Sequence, residues 1–107
     1  MTERERLPNR RLNETETFER DQIQITLTKG YKANGEIGEI FVNALPQNSM
    51  IDVLLSDAAV IASLALQYGV PIRQLAHAVK RDKYGLASSP IGAALDRVCP
   101  PEVLSDA

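Results

Sequence analysis

Four side chains that can bind an anion recur at helical spacing within one short segment of this 107-residue chain. Their positions are i, i+4, i+7 and i+8, which share one face of an α-helix. The four residues are Arg73, His77, Lys80 and Arg81. Three cations and an imidazole on one surface suit a phosphate, a nucleotide or an acidic partner. We therefore predict a ligand-binding site on this basic face. The alternative is that the face is only the solvated side of an amphipathic helix.

A second feature that favours an anion follows at Ser88 and Ser89, just before Pro90. Ser89 can cap a helix whose first turn contains Pro90, where the missing N–H of proline costs nothing. The free amides at a helix start carry partial positive charge and attract an anion. We predict that both serines join the basic face in a composite anion site.

The residues that could serve an enzyme do not form a recognisable catalytic pattern. Asp57 is expected to be structural, accepting hydrogen bonds from Arg73 or from nearby loop amides, because an unpaired buried carboxylate is costly. A small dimeric enzyme that uses Asp57, His77 and Ser88 in one pocket stays open as an alternative. No second carboxylate or nucleophile stands at a defined spacing, so we assign no catalytic residue.

The chain has one histidine, His77, and one cysteine, Cys99. A single thiol can form neither an internal disulfide nor a multi-cysteine zinc site, and the imidazole has no second imidazole beside it. We therefore predict no metal and no cofactor. The cysteine usage fits a reducing, cytoplasmic location.

The balance of charge limits the class of partner. Lys and Arg number 12, Asp and Glu number 14, and the net charge is −2. A protein that grips a nucleic-acid backbone usually carries a strongly basic face, so we do not expect nucleic acid to be the main partner. A nucleic-acid-associated protein that uses the basic face together with Lys83 stays open as an alternative.

The first half of the chain predicts three strands. Thr15 to Arg20 is rich in strand-forming residues, and Gln22 to Thr28 alternates apolar and polar residues with period two. Asn34-Gly35 is a strong turn signal, and Glu39 to Ala44 follows as a third strand. Strands joined by short turns pair with their neighbours, so we predict an antiparallel meander.

The second half predicts three helices. The first begins after Ser49 as cap and ends near Tyr68, where Gly69 provides a left-handed stop. The second begins at Pro71 and is expected to end between Arg81 and Lys83. The third begins at Ser89-Pro90 and ends before Cys99. The prediction is one α+β domain (βββααα) over residues 14–99, a three-stranded antiparallel sheet packed against three helices. Residues 1–13 form a disordered or loosely docked tail and residues 100–107 a C-terminal tail.

The first helix is unusually apolar. Its polar residues Asp52, Ser56, Ser63 and Gln67 fall within about 60° of one another on a helical wheel, and nearly all the rest of the circumference is apolar. Such a helix should be covered on most sides, which predicts a homodimer formed through residues 50–68. The alternative is that the neighbouring helices bury it within one chain. Polar residues interrupt the apolar stretch from Ile51 to Leu66, so we do not expect it to span a membrane.

Four sequence segments, taken in order, resemble the TSCPD domain. They are NGEIGEIFVN, DAAVIASLALQYGVP, RQLAHAVKR and SSPIGAALDRV, which together span residues 34–98. The TSCPD domain is a small module near the carboxyl end of adenosylcobalamin-dependent ribonucleotide reductases that also occurs as a free-standing protein. The resemblance implies a non-enzymatic binding or regulatory module linked to nucleotide metabolism. It does not imply reductase activity, because the chain is too short for the large barrel of those enzymes.

The chain departs from the motif that gives the family its name. Where the motif has threonine, serine, cysteine, proline and aspartate, this chain has Ala87, Ser88, Ser89, Pro90 and Ile91. The thiol and the acid are absent. No metal-binding or redox role that depends on that cysteine carries over to this chain.

Overall fold

A computed structural model of the chain describes residues 3–101, and its first half is an antiparallel sheet. The strands are β1 (Asn13–Arg20), β2 (Ile23–Tyr31) and β3 (Ile37–Ala44), in the order β1-β2-β3. Both neighbouring pairs are antiparallel, which confirms the predicted meander. Each strand begins or ends a few residues outside the predicted bounds.

Three helices follow, which confirms the α+β arrangement. They are α1 (Met50–Gln67), α2 (Ile72–Ala78) and α3 (Pro90–Val98). Ser49 caps α1, because its hydroxyl accepts a hydrogen bond from the Asp52 N–H at 3.2 Å. Gly69 ends α1 at φ +100°, a conformation that favours glycine, and the Val70 N–H reaches back to the Ala65 carbonyl.

The predicted end of the second helix, between Arg81 and Lys83, is wrong. α2 stops at Ala78 and the backbone of Val79 is extended. A tight turn follows because the Asp82 carboxylate accepts hydrogen bonds from the N–H groups of Tyr84 and Leu86. An aspartate that satisfies turn amides in this way favours a turn over a continuing helix.

The two faces of the sheet differ in burial. One face packs beneath the helices, and Ile25, Leu27 and Val42 on it are fully buried. The other face bears threonine pairs across β1 and β2, such as Thr15 with Thr28 at 3.0 Å between hydroxyl oxygens. The helices therefore cover one side of the sheet only.

Helix α1 lies along the free edge of β3, where its polar residues take the place of a further strand. We call these residues the polar stripe of α1; they are Asp52, Ser56, Ser63 and Gln67. The Ser63 hydroxyl accepts a hydrogen bond from the Ile40 N–H at 2.9 Å and donates one to the Ile40 carbonyl at 3.0 Å. The Gln67 amide donates to the Gly38 carbonyl at 3.0 Å, and Asp52 accepts from the Ala44 N–H at 2.9 Å. An edge strand leaves its backbone groups unpaired, and these side chains satisfy several of them.

Residues 3–12 have no regular secondary structure but lie against the domain. The Glu5 N–H donates to the Gln67 carbonyl at 2.6 Å, and Arg11 pairs with Glu39 at 2.6 Å. The predicted tails include residues 1, 2 and 102–107, which lie outside the described part of the chain.

Candidate functional site

Arg81 does not belong to an open basic face, contrary to the sequence prediction. Its guanidinium makes two hydrogen bonds with the Asp96 carboxylate, at 2.7 and 2.8 Å, and also donates to the carbonyls of Ala76 and Gly85. Asp96 raises the pKa of Arg81 above its usual value. A planar guanidinium suits this forked pairing. Arg81 therefore ties α3 to α2 and to the turn after it.

Arg73 and His77 are exposed one turn apart on α2 and line the same cleft. The cleft has a volume of about 80 Å³ and lies between α2 and residues 99–101. Arg81 and Asp96 line it from the inside. Of the predicted basic face, the structure thus brings Arg73, His77 and Arg81 to one cleft, where Arg81 is paired with Asp96.

Lys80 and Ser88 meet on the two arms of the turn that follows α2. The Ser88 N–H donates to the Lys80 carbonyl at 2.9 Å, and both residues are exposed. The neighbouring Arg81 and Ala87 form an isolated β-bridge. Lys80 and Ser88 therefore have a fixed backbone with side chains open to solvent.

Ser89 lies in a different environment from the cations. Its hydroxyl accepts a hydrogen bond from the Gly92 N–H at 3.1 Å, which is the cap that the sequence predicts. It opens onto a groove of about 180 Å³ whose other lining residues are apolar or proline. They are Ile51, Leu54, Leu55, Pro90 and Ile91. No cation within residues 3–101 lines this groove, so neither Ser89 nor the paired Arg81 is included in the anion site proposed below.

Asp57 does not have the hydrogen-bond partners that the sequence predicts. It lies off the polar stripe, but that side of α1 faces solvent, and Asp57 is exposed. Within residues 3–101 no hydrogen bond or ion pair is formed by its carboxylate. The cleft lined by His77 includes neither Asp57 nor Ser88, so the proposed enzyme site gains no support from this cleft.

The outward side of α1 is apolar and open to solvent in the single chain. The neighbouring helices do not bury it, contrary to the alternative in which one chain covers the helix, because large apolar residues along its whole length are exposed. They are Met50, Ile51, Val53, Leu54, Val60, Ile61, Leu64 and Tyr68. We call these residues the outer face of α1. Helix α1 has 18 residues and a mean hydropathy of 1.6, so by length and composition it could also cross a bilayer. Core helices of water-soluble proteins meet the same criteria.

Lys32 was missed by sequence reasoning. It lies in the turn region after β2 and lines a cleft of about 440 Å³ together with Arg73 and the segment from Gly69 to Pro71. Nothing in its spacing relates it to Arg73, because the two meet only through the fold. The Lys32 ammonium lies 3.6 Å from the Glu5 carboxylate, which offsets its charge. No group of three His, Cys, Asp or Glu side chains within residues 3–101 is close enough to hold a metal ion.

A family model of the TSCPD domain matches residues 2–100, almost the whole chain. The chain belongs to the TSCPD domain family. Its relatives include the vitamin B12-dependent ribonucleotide reductase of Agrobacterium fabrum, which is 34% identical over 82 residues, 77% of this chain. The corresponding enzyme of Bradyrhizobium diazoefficiens is 33% identical over 72 residues, 67% of this chain. No solved structure gives a significant match.

The chain spans about 6% of the length of each of these reductases. The similarity to them is therefore confined to a small module. Ser89, which the sequence resemblance sets at the position of the motif cysteine, caps α3. Ile91, which it sets at the position of the motif aspartate, lines the apolar groove.

Proposed function

We propose that this TSCPD domain is a non-enzymatic accessory module of nucleotide metabolism that binds a phosphate-bearing ligand. The binding residues are Arg73, His77 and Lys80, which we call the α2 cationic surface, with the Ser88 hydroxyl beside Lys80. The named relatives are ribonucleotide reductases, which supports a nucleotide as the ligand class.

The observation that carries the proposal is the neutralisation of Asp96 by Arg81. Within residues 3–101, Asp96 is the one carboxylate that lines the cleft beside Arg73 and His77, and both of its oxygens accept hydrogen bonds from Arg81. The Asp96 carboxylate is therefore neutralised within the cleft that Arg73 and His77 line. This pairing lets the cleft accept an anion without repulsion from Asp96, in a chain whose net charge is −2.

A binding role is also supported by how the chain uses its other polar side chains. Asp52, Ser63 and Gln67 are buried against the edge of β3, and Ser89 is engaged in capping α3. These groups hold the fold together. Arg73 and His77 lie at the cleft between α2 and residues 99–101, and Lys80 is exposed in the turn after α2.

The test is a thermal-unfolding titration of the full chain with inorganic phosphate, nucleoside diphosphates and nucleoside triphosphates. Sodium chloride at equal ionic strength is the reference, because phosphate salts also stabilise proteins without binding. A ligand at tenfold excess over its Kd stabilises the fold by about 1.4 kcal/mol. For a domain of this size that raises the Tm by roughly 5 to 10 °C.

The double variant Arg73→Ala, Lys80→Ala should lose most of this stabilisation. Lys83→Ala is the control, since Lys83 also carries a positive charge in the same segment but lies over the ring of Tyr84. A ligand that stabilises the double variant as strongly as the unmodified chain would refute the α2 cationic surface. Stabilisation by none of the phosphates beyond the salt reference would refute a phosphate-bearing ligand.

A further inference from the structure

The outer face of α1 has the side-chain spacing of a helix–helix seam. Exposed residues recur at alternating intervals of four and three along its full length: Met50, Leu54, Asp57, Ile61, Leu64 and Tyr68. This alternation brings side chains into one stripe that packs against a second helix. All six residues of the seam are exposed in the single chain, and five of them are apolar or aromatic.

The exposure is the opposite of what an isolated helix in water needs. A surface helix normally turns its polar residues outward and its apolar residues inward. In α1 the polar stripe is turned inward to β3, whereas the eight apolar residues of the outer face are 36% to 71% exposed. The polar residues of α1 thus bind the edge of β3, and the outer face of α1 is exposed to solvent in the single chain.

The exposed area has the size of a protein–protein interface. The exposed fractions of the outer face correspond to roughly 700 Å² per chain, compared with about 800 Å² per partner in a standard interface. The largest apolar patch on a typical monomer covers about 300 to 600 Å². The groove lined by Ile51, Leu54 and Ile91 extends the same apolar surface toward α3.

We propose that a second copy of this chain covers the outer face, with the two α1 helices packed antiparallel about a two-fold axis near residue 59. The seam is self-complementary about that point. In this arrangement Met50 faces Tyr68 of the second copy, Leu54 faces Leu64 and Asp57 faces Ile61. A two-fold pairing of identical surfaces is the commonest form of assembly for soluble proteins.

A lipid surface fits this face less well than a second copy does. Helices that lie on a membrane carry lysine or arginine along their polar sides, which bind anionic headgroups. The last turn of α1 has no basic residue, and the charge within the seam is the carboxylate of Asp57. Anionic lipid would repel that carboxylate, whereas an antiparallel pair places the two Asp57 residues on opposite sides of the axis.

The test is sedimentation velocity of the full chain from about 1 to about 200 µM, where a dimer is expected to become populated with concentration. The dimer should have about twice the monomer mass of 11.8 kDa. Leu54→Glu should weaken dimerisation about 100-fold or more, because it replaces an apolar contact with Leu64 of the second copy by a second carboxylate in each seam, one turn from that of Asp57. Leu86→Glu is the matched control, since Leu86 is 64% exposed and Leu54 60%, but Leu86 lies in the turn after α2. Far-UV circular dichroism checks that both variants are folded.

A pair of substitutions at Ile61 tests the antiparallel register. Ile61→Lys places an ammonium opposite Asp57 of the second copy, whereas Ile61→Glu places a second carboxylate there, so the lysine variant should dimerise more tightly. The proposal fails if the chain stays monomeric throughout the concentration range. It also fails if Leu54→Glu dimerises as well as Leu86→Glu, or if both Ile61 variants are equally weak. Binding to vesicles of neutral and anionic phospholipid by a monomeric chain would overturn it in favour of a lipid surface.

Discussion

Ser63→Ala removes the hydroxyl that pairs both backbone groups of Ile40 on β3. The hydroxyl accepts from the N–H at 2.9 Å and donates to the carbonyl at 3.0 Å. Ile40 is 1% exposed and Ser63 9%, so water has little access to either group after the substitution. The variant therefore leaves a buried donor and a buried acceptor without partners.

The expected loss follows from the cost of such groups. An unsatisfied buried polar group costs about 1–3 kcal/mol. Alanine regains up to about 0.5 kcal/mol through its higher helix propensity. We expect a net loss of about 2–4 kcal/mol in the free energy of unfolding, which is a large fraction of the 5–15 kcal/mol typical of a domain.

Ser56→Ala is the matched control, because it makes the same change on the same stripe of α1. The Ser56 hydroxyl donates to the Val42 carbonyl at 3.4 Å, a longer bond, and Ser56 is only partly buried. Urea unfolding at constant m should show Ser63→Ala destabilised by at least about 1 kcal/mol more than Ser56→Ala. Equal stability of the two variants would refute the assignment of the polar stripe to the edge of β3.

Two further predictions concern charged residues. The backbone N–H groups of Ala44 and Asn48 hold the pKa of Asp52 below its ordinary value of 3.8. The ionised carboxylate therefore stabilises the fold fully above pH 3.8. This stabilisation is lost as the pH falls through the pKa that Asp52 has in the folded state. Asp52→Asn should thus be less stable than the unmodified chain at pH 7, and urea titrations should show the two converging in acid; a constant difference down to pH 2 would contradict this. Arg81→Lys should lower the Tm by several degrees, because an ammonium cannot reproduce the forked pair with Asp96 or reach both carbonyls. An unchanged Tm in differential scanning calorimetry would show that Arg81 does not hold α2 and α3 together.

The order and type of all six elements could be predicted because each has a local signal. The alternation in β2, the Asn34-Gly35 turn and the Ser49 and Ser89 caps depend on a few neighbouring residues. Gly69 marks the end of α1 for the same reason, since few other residues adopt its φ of +100°. Local patterns of this kind are visible without knowledge of the fold.

The orientation of α1 could not be predicted, because it depends on a distant partner. Periodicity identifies a polar stripe but does not say whether the stripe faces water or protein. Here β3 is an edge strand, and its unpaired backbone groups attract Ser63 and Gln67 inward. That requirement becomes apparent only when the strand order is known.

The prediction of one open basic face assumed that α2 continues past Ala78. The helix ends there, and Arg81 pairs with Asp96 in the cleft that Arg73 and His77 also line. Asp82 and Gly85 were a usable turn signal, since Asp82 accepts from turn amides and Gly85 has a φ of +85°. Lys32 had no such signal, because the fold alone brings it near Arg73.

The central claim is that the outer face of α1 is covered by a second copy in an antiparallel pair. An isotope-filtered NOE experiment on an equal mixture of labelled and unlabelled chains measures contacts between copies directly. We expect NOEs from the Leu54 methyl groups of one copy to Leu64 of the other, and from Met50 to Tyr68. Intermolecular NOEs confined to other surfaces, or none at a concentration of about 1 mM, well above that of a typical weak dimer, would contradict the claim.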